Sequence, residues 1–416
     1  MQAEEILEAL RTHYNVLIYG PPGTGKTHKM QEVARLFEGT DSGSGPPAYL
    51  VDTESEDHPI LANPAKQTMV RWVTFHQSYS YEEFIVGLRP DPQETQKLLS
   101  LKPTPGLLLE LAEFARQPGN SALLIIDEIN RGNVSRIFGE FITLLERDKR
   151  LDENGDLTET TISVRLPYIK PGSAVKIDIG TGEAEVPNPF TMPLKLYTLA
   201  SMNSVDKSVA PLDTALRRRF HVVNLMPDLN GMAQHMNLLQ PLGLEKPKLP
   251  DPLTEVGQVR TIGLALLHWL NKGIGFYLGT EFGLGEWYLE ELARGDVNSV
   301  EEAKSSLARI WEFRLLPQLE ELFHGRIEQL ETVLGLDVSG GDSGEPVYLE
   351  RPEEKLEERG AVPYLGKRPV NVESVLRFLR RVAHVEQESV TLEAPSGEPT
   401  IPESASGGVP DENEPS

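Results

Sequence analysis

One short run near the start of this chain limits its fold more than any other. In NVLIYGPPGTGKTHKM, residues 15–30, a continuous apolar stretch stops at a glycine and a G-x-x-x-x-G-K-[ST] motif follows: Gly20, Pro21, Pro22, Gly23, Thr24, Gly25, Lys26 and Thr27. The next residues, THKMQEVARLF, carry a helical pattern. Strand, glycine-rich turn and helix in that order are the context in which this motif holds phosphate. The glycines let backbone N–H groups turn inward around a β-phosphate, and the helix start adds the positive end of its dipole. Lys26 is expected to reach the β- and γ-phosphates and Thr27 to give its hydroxyl to Mg²⁺. His28 completes the expected nucleotide-binding set. The competing reading is a Gly/Pro-rich turn with a chance lysine.

Two further segments answer the first. In LLIIDE an apolar strand ends in Asp127 and Glu128, which delivers two carboxylates to the edge of a sheet where ligands sit. Asp127 is the expected magnesium ligand. Glu128 is the expected general base on the attacking water, which favours hydrolysis over passive switching. A solvated acidic strand end is the plainer alternative. In LYTLASMN a third strand ends at Asn203, with Asp206 close behind. The Asn203 amide either orients water near the γ-phosphate or caps a turn, as asparagine often does. In ALRRRF, Arg217, Arg218 and Arg219 stand together. Arginine stabilises charge on a transferring phosphoryl group, so one or two of them are candidates to reach a neighbouring subunit's nucleotide. The rest are expected to pair with local acids.

The pattern around these motifs predicts an α/β fold with a central parallel sheet, because apolar strands alternate with helices. Strands are expected at AYLVD, MVRWVTF, ALLIIDE and KLYTLASMN, and helices at residues 3–11, GLLLELAEFAR and NVSRIFGEFITLLERDKR. The last has a stripe of Val134, Ile137, Phe138, Phe141, Leu144 and Leu145. Residues 151–190 read as a β-hairpin insertion turning near Gly180–Gly182. Residues 1–228 form the expected nucleotide-binding domain and residues 229–337 a helical lid domain. Residues 338–388 are read as a linker and terminal helix, and 389–416 as a disordered acidic tail.

The chain has 416 residues, no cysteine and a formal net charge of −23. Disulfides and cysteine nucleophiles are excluded, and such a field repels nucleic acid, so any DNA contact must be local or delegated to a partner or a ring pore. The N-terminus lacks the basic and apolar regions of a signal peptide. TIGLALLHWLNKGIGFYLG is broken by His268, Asn271 and Lys272 and reads as a buried helix, not a membrane span. A cytoplasmic protein without membrane contact is the expectation. In FHQSYSYEEF, Phe75, Tyr79, Tyr81 and Phe84 line a pore or fill a core. His76 has no second histidine at metal-ligand spacing.

Taken together, GPPGTGKT, FHQSYSYEEFIVGLRP, IIDEINRGNVSRIFGEFITLLERDKR and MNSVDKSVAPLDTALRRRF resemble the AAA+ motor of McrB-type restriction GTPases, a P-loop NTPase fold. The resemblance runs from about residue 10 to 228 and continues through IWEFRLLPQLEELF. The family's Met-Asn-Thr-Ala-Asp-Arg-Ser signature corresponds to Met202–Ser208, with Asn203 and Asp206 kept. The resemblance implies a hexameric ring with nucleotide sites between subunits and Mg²⁺-dependent hydrolysis of GTP. It also implies a McrC-like endonuclease partner and cleavage of DNA bearing modified cytosine. Asn203 and Asp206 would form the signature site, Arg217 and Arg218 finger or sensor groups, and Asn130 and Arg131 would face the neighbouring site.

Three features depart from that pattern. The phosphate loop begins at residue 20, so target reading is expected from another chain. The family's lid element Ile-Gly-His-Ser-Tyr-Phe corresponds at best to FGLGEWYL, residues 282–289, without the histidine. No Asn-Lys-x-Asp guanine motif is present, because NKGI at 271–274 lacks the aspartate, so ATP stays open beside GTP. The alternatives are a MoxR- or dynein-like ATPase that remodels proteins and a non-hydrolysing ring scaffold.

Overall fold

The computed structural model describes residues 2–39, 62–63, 67–90, 100–205, 212–238, 244–335 and 372–387. The expected strand AYLVD, the signature residue Asp206, the linker at 338–360 and the acidic tail lie outside them.

Five parallel strands form the central sheet. They are β1 (Asn15–Gly20), β2 (Thr68–Thr74), β3 (Ser121–Asp127), β4 (Leu196–Asn203) and β5 (His221–Asn224), in the order β5-β1-β4-β3-β2. A two-residue strand, Ala62–Asn63, runs antiparallel outside β2. The strands are apolar throughout because both faces are covered. Val16, Ile18, Leu123, Ile125 and Leu199 face helices α1 (Ala3–His13) and α2 (Lys26–Glu38). Leu17, Met69, Leu124 and Ile126 face α3 (Leu107–Arg116) and the aromatic group Phe75, Phe84, Phe138 and Phe141. Phe75 and Phe84 are fully buried, and Phe84 meets Phe138 edge-on at 4.8 Å, so these two rings are core and not pore lining.

The apolar stripe after β3 is buried as expected, but it is not one helix. A short α4 (Val134–Phe138) gives way to 3₁₀ turns over Gly139–Leu145. Gly139 breaks the helix: its φ is +52°, and a Cβ there would stand 3.1 Å from the Tyr81 ring. Stripe periodicity records burial and cannot distinguish 3.6 residues per turn from a tighter winding. The expected hairpin is present, Ala174–Asp178 against Glu183–Pro187. A second hairpin, Val86–Pro90 against Leu101–Pro105, was not legible in advance.

The C-terminal helices have their own core. Helix α5 (Val256–Tyr277) is buried along most of its length. It packs with α6 (Val300–Ile310), α7 (Leu316–Leu322) and α8 (Val372–Val382) around Trp311, Phe323 and Phe378. A capping box starts α6: the Ser299 hydroxyl accepts the Glu302 N–H at 3.2 Å, and Glu302 returns a bond to the Ser299 N–H at 3.1 Å. Between α6 and α7 the helix widens into a π turn, Trp311–Leu315, just ahead of Pro317. The proline lacks an N–H and its ring crowds the preceding turn, so the regular ladder cannot continue there. Among the described residues no helix is long and apolar enough to cross a membrane.

Candidate nucleotide-phosphate site

Strand register brings the motifs together. Gly20, the last residue of β1, pairs with Asn203, the last of β4. Next to them Asp127 ends β3. The glycine loop, the acid pair and the amide therefore share one rim of the sheet, at strands adjacent in space but far apart in sequence.

Within the loop, Lys26 is only 8% exposed, and its Nζ donates to Gly20 O at 3.0 Å and Pro21 O at 2.8 Å. The Thr24 hydroxyl also donates to Pro21 O, at 2.9 Å. Burial pulls the Lys26 ammonium down to about 8, against the attraction of Glu128, Asp127 and Glu286. Thr27 and His28 lie exposed at the start of α2, and the His28 ring stands 5.4 Å from that of Trp287.

The acid pair is held by β4. Ser201 Oγ donates to Asp127 Oδ1 in a short hydrogen bond and accepts the Glu128 N–H at 3.0 Å. Asn203 Nδ2 donates to Glu128 Oε1 at 2.6 Å, and Arg131 Nε lies 3.4 Å from Glu128 Oε2. Glu128 itself has a left-handed backbone, φ +53°, where a non-glycine residue costs about 1–2 kcal/mol. Ser201 was not singled out in advance. Its only sequence signal is a small hydroxyl two residues before Asn203, on the same side of the strand.

The neighbouring-site candidates divide. Arg219 is committed locally, with Nη2 at 2.8 Å from Glu146 and Nη1 donating to Ala215 O at 2.6 Å. Arg217 and Arg218 are exposed, Arg217 lying 5.5 Å from the Tyr19 ring centroid. The turn that carries them is pinned by Asn15, whose Nδ2 donates to Arg219 O at 3.3 Å and to Leu145 O at 2.7 Å. Asn15 is fixed in turn by Arg150, at 3.1 Å. Arg150 is fully buried and donates to four backbone carbonyls; burial pulls it down to about 10, still charged at neutral pH. Asn130 turns inward, 5% exposed, and Arg131 pairs with its own subunit's Glu128.

The lid reaches this site through the segment FGLGEWYL. The Gly285 N–H donates to Pro22 O at 3.0 Å and the Trp287 N–H to Gly23 O at 2.8 Å. Glu286 is buried and accepts the Asp228 N–H at 3.1 Å; burial raises its carboxyl. The segment aligned with the family's lid element thus lies on the phosphate loop despite lacking the histidine.

Comparison with known proteins finds relatives over parts of this fold. The family model for an AAA domain of the dynein-related subfamily matches residues 61–220, and that for the McrB alpha-helical lid domain matches residues 264–331. Over 225 residues the chain is 35% identical to the type IV methyl-directed restriction enzyme EcoKMcrB subunit of Escherichia coli (strain K12); the match covers 54% of this chain and 38% of that protein. It is 25% identical over 229 residues to the type II restriction enzyme BsuMI component YdiS of Bacillus subtilis (strain 168), covering 50% of this chain and 55% of that one. The chain therefore spans well under two thirds of either relative. A solved structure of a putative ATPase from Cytophaga hutchinsonii matches at 13% identity and a TM-score of 0.28, over 79% of this chain and 78% of that one. A dynein-related AAA domain is thus matched over the middle strands of the sheet and an McrB lid domain over much of the helical unit, and the chain is similar to the McrB-type AAA+ proteins.

Proposed function

We propose that this chain is the ring-forming motor subunit of a McrBC-like, modification-dependent DNA restriction system, hydrolysing GTP in preference to ATP and driving a McrC-like endonuclease partner. The observation that carries the hydrolytic reading is the Asn203 amide, which grips the Glu128 carboxylate at 2.6 Å beside the end of the phosphate loop. A general base needs a fixed position relative to its water, and this contact supplies it. The restriction reading draws on the named relatives, and the GTP preference on the likeness to the McrB family alone.

In this reading Gly20–Thr27, with His28, hold the triphosphate. Thr27 and Asp127 would hold Mg²⁺, an oxygen-only donor pair of the kind that ion takes. The bound ion would supply charge neutralisation at the β- and γ-phosphates. Asp127 is presented by Ser201, and Glu128 receives the proton of the attacking water while Asn203 keeps its carboxylate in place. Asp206 is assigned to the signature site with Asn203. Arg217 and Arg218 are exposed and would serve the adjacent subunit of a hexamer. With a net charge of −23, the chain itself binds DNA weakly, and contact is made through the partner or the ring pore. A cytoplasmic location goes with this reading.

The test is phosphate release from GTP and from ATP by the purified chain with Mg²⁺. GTP turnover should exceed ATP turnover. Glu128→Gln should lower it by roughly a hundredfold or more while nucleotide binding persists. Full turnover in Glu128→Gln would end the motor assignment. ATP turnover well above GTP turnover would favour the protein-remodelling ATPase.

A further inference from the structure

In the phosphate loop four successive carbonyls, those of Gly20, Pro21, Pro22 and Gly23, are all taken, but from two different units. Lys26 takes the first two, and the lid, through Gly285 and Trp287, takes the second two. The division follows the sequence. The peptides after Gly20 and Pro21 lead into prolines and carry no N–H. The peptides after Pro22 and Gly23 carry the N–H groups of Gly23 and Thr24.

A trans peptide is planar, with its C=O and N–H pointing in opposite directions. A donor that fixes the carbonyl on one side therefore fixes the N–H toward the other. With Pro22 O and Gly23 O both bonded to the lid, the Gly23 and Thr24 N–H groups are held facing away from the lid, into the concave side of the loop. Among the described residues neither N–H donates to another backbone carbonyl.

The lid segment is built for this contact. The Asn271 amide clasps Leu284 at both ends of its backbone: Oδ1 accepts the N–H at 2.6 Å, and Nδ2 donates to the carbonyl at 2.8 Å. Glu286 ties the segment to Asp228, and the Tyr288 hydroxyl donates to Gln318 on α7 at 3.1 Å. The crossing itself is glycine on glycine. A Cβ on Gly285 would stand 1.9 Å from the Gly23 carbonyl carbon, and one on Gly23 would stand 2.7 Å from the Tyr288 ring. The Gly285 contact is backbone on backbone, so a Cβ there must lift the strap, whereas one on Gly23 would have to push the Tyr288 ring aside.

We propose that the lid strap Gly283–Tyr288, clasped by Asn271, is a removable wall of the phosphate site that sets the loop's affinity for phosphate. With the strap down, two amides are preorganised for the anion. When the lid lifts, the peptides after Pro22 and Gly23 are free to rotate and the anion is released. Asn271 and Gly285 are positioning residues in this scheme. Neither touches Asp127, Glu128 or Asn203 in the hydrogen-bond network. The inference rests on the reading of Gly20–Thr27 as a nucleotide-phosphate site.

The test measures dissociation constants of fluorescent N-methylanthraniloyl GDP and ADP for the full chain, using whichever binds the wild type. Gly285→Ala should raise Kd roughly a hundredfold and Asn271→Ala roughly tenfold, the scale of losing one to two hydrogen bonds' worth of preorganisation. Asn271→Asp keeps the acceptor for the Leu284 N–H and should fall between Asn271→Ala and the wild type; it serves if the alanine variants do not fold. Hydrogen exchange of the peptide spanning residues 283–288, whose Gly285 and Trp287 amides donate to the loop, should quicken in the same order without nucleotide. KM for nucleotide should rise in step with Kd, because the strap acts on binding. Wild-type affinity and exchange in folded Gly285→Ala or Asn271→Asp would overturn the inference, even with Lys26→Ala having lost binding. If the wild type binds neither nucleotide, the phosphate-site reading falls and the inference with it.

Discussion

The Lys26 ammonium offers a test that reads the phosphate loop through a proton. Its pKa is about 8 against an ordinary 10.5, with burial as the main cause. At roughly 1.36 kcal/mol per pKa unit, the fold disfavours the charged form by about 3 kcal/mol relative to the unfolded chain. Below pH 8 both states hold the proton and the folded state bears the whole cost. Between pH 8 and 10.5 the unfolded chain holds more protons than the folded one, so this group's share of stability rises with pH across that window. A phosphate beside the ammonium reverses the preference and draws its pKa back up. Binding above pH 8 must then take up a proton, whereas binding at pH 7 takes up almost none. A phosphate group's last ionisation lies near pH 6 and is complete throughout this range. Calorimetric titration of nucleotide in two buffers of different ionisation enthalpy separates the proton from the ligand. Uptake should approach one proton at pH 9, and apparent affinity should fall by up to about tenfold per pH unit above 8. Lys26→Arg, which does not titrate in this range, should show no uptake. Zero uptake by the wild type at pH 9, or equal uptake by Lys26→Arg, would refute the reasoning.

Other expectations follow from single contacts. Asn203→Ala removes the donor to the half-buried Glu128 carboxylate and should cut kcat by roughly ten- to a hundredfold with little change in nucleotide Kd, measured by steady-state turnover and equilibrium binding. Arg219→Ala breaks the pair with Glu146 and the bond to Ala215 O, and thermal melting should show a loss of about 1–2 kcal/mol. Arg217→Ala and Arg218→Ala should leave melting within about 0.5 kcal/mol of wild type and depress turnover instead; adding Glu128→Gln subunits, which still offer both arginines, should restore turnover to the mixed assembly. Gly139→Ala meets both a positive φ and the Tyr81 ring, and should cost about 1–2 kcal/mol in denaturant unfolding.

Much of this site was legible because the groups that meet a ligand are specified by local rules. A strand, a glycine turn and a helix start are contiguous in sequence, so Gly20–Thr27 announces itself. Strand ends must come to one rim in a parallel sheet, so Asp127, Glu128 and Asn203 could be brought together before any coordinates. The groups that hold them in place obey no such rule. Ser201 orients Asp127 across strands separated by more than seventy positions, and Asn15 pins the arginine turn from about two hundred positions away. The strand lengths place these contacts, and a one-residue change of register would abolish them. The stripe from Val134 to Leu145 shows the converse failure: burial was read correctly and helix type was not, because the break at Gly139 is a positive-φ turn beside the Tyr81 ring, which the apolar spacing does not encode.

NKGI is no guanine motif, yet its asparagine holds the lid over the phosphate loop. Asn271 fails as a guanine reader because no aspartate follows at the required spacing. Its amide nonetheless has two strong bonds, both to the backbone of Leu284, and that residue leads directly into the glycine that crosses the phosphate loop. An asparagine on a mostly buried helix must satisfy its donor and its acceptor somewhere, and here both are spent on one residue. That arrangement fixes the segment's height above the loop to within a hydrogen bond's tolerance. A glycine with no room for a Cβ then makes the contact intolerant of sideways drift. The lid's sequence, opaque as chemistry, is therefore restrictive as geometry: it positions two N–H groups against two carbonyls of the loop, and those carbonyls belong to peptides whose N–H groups can face a phosphate.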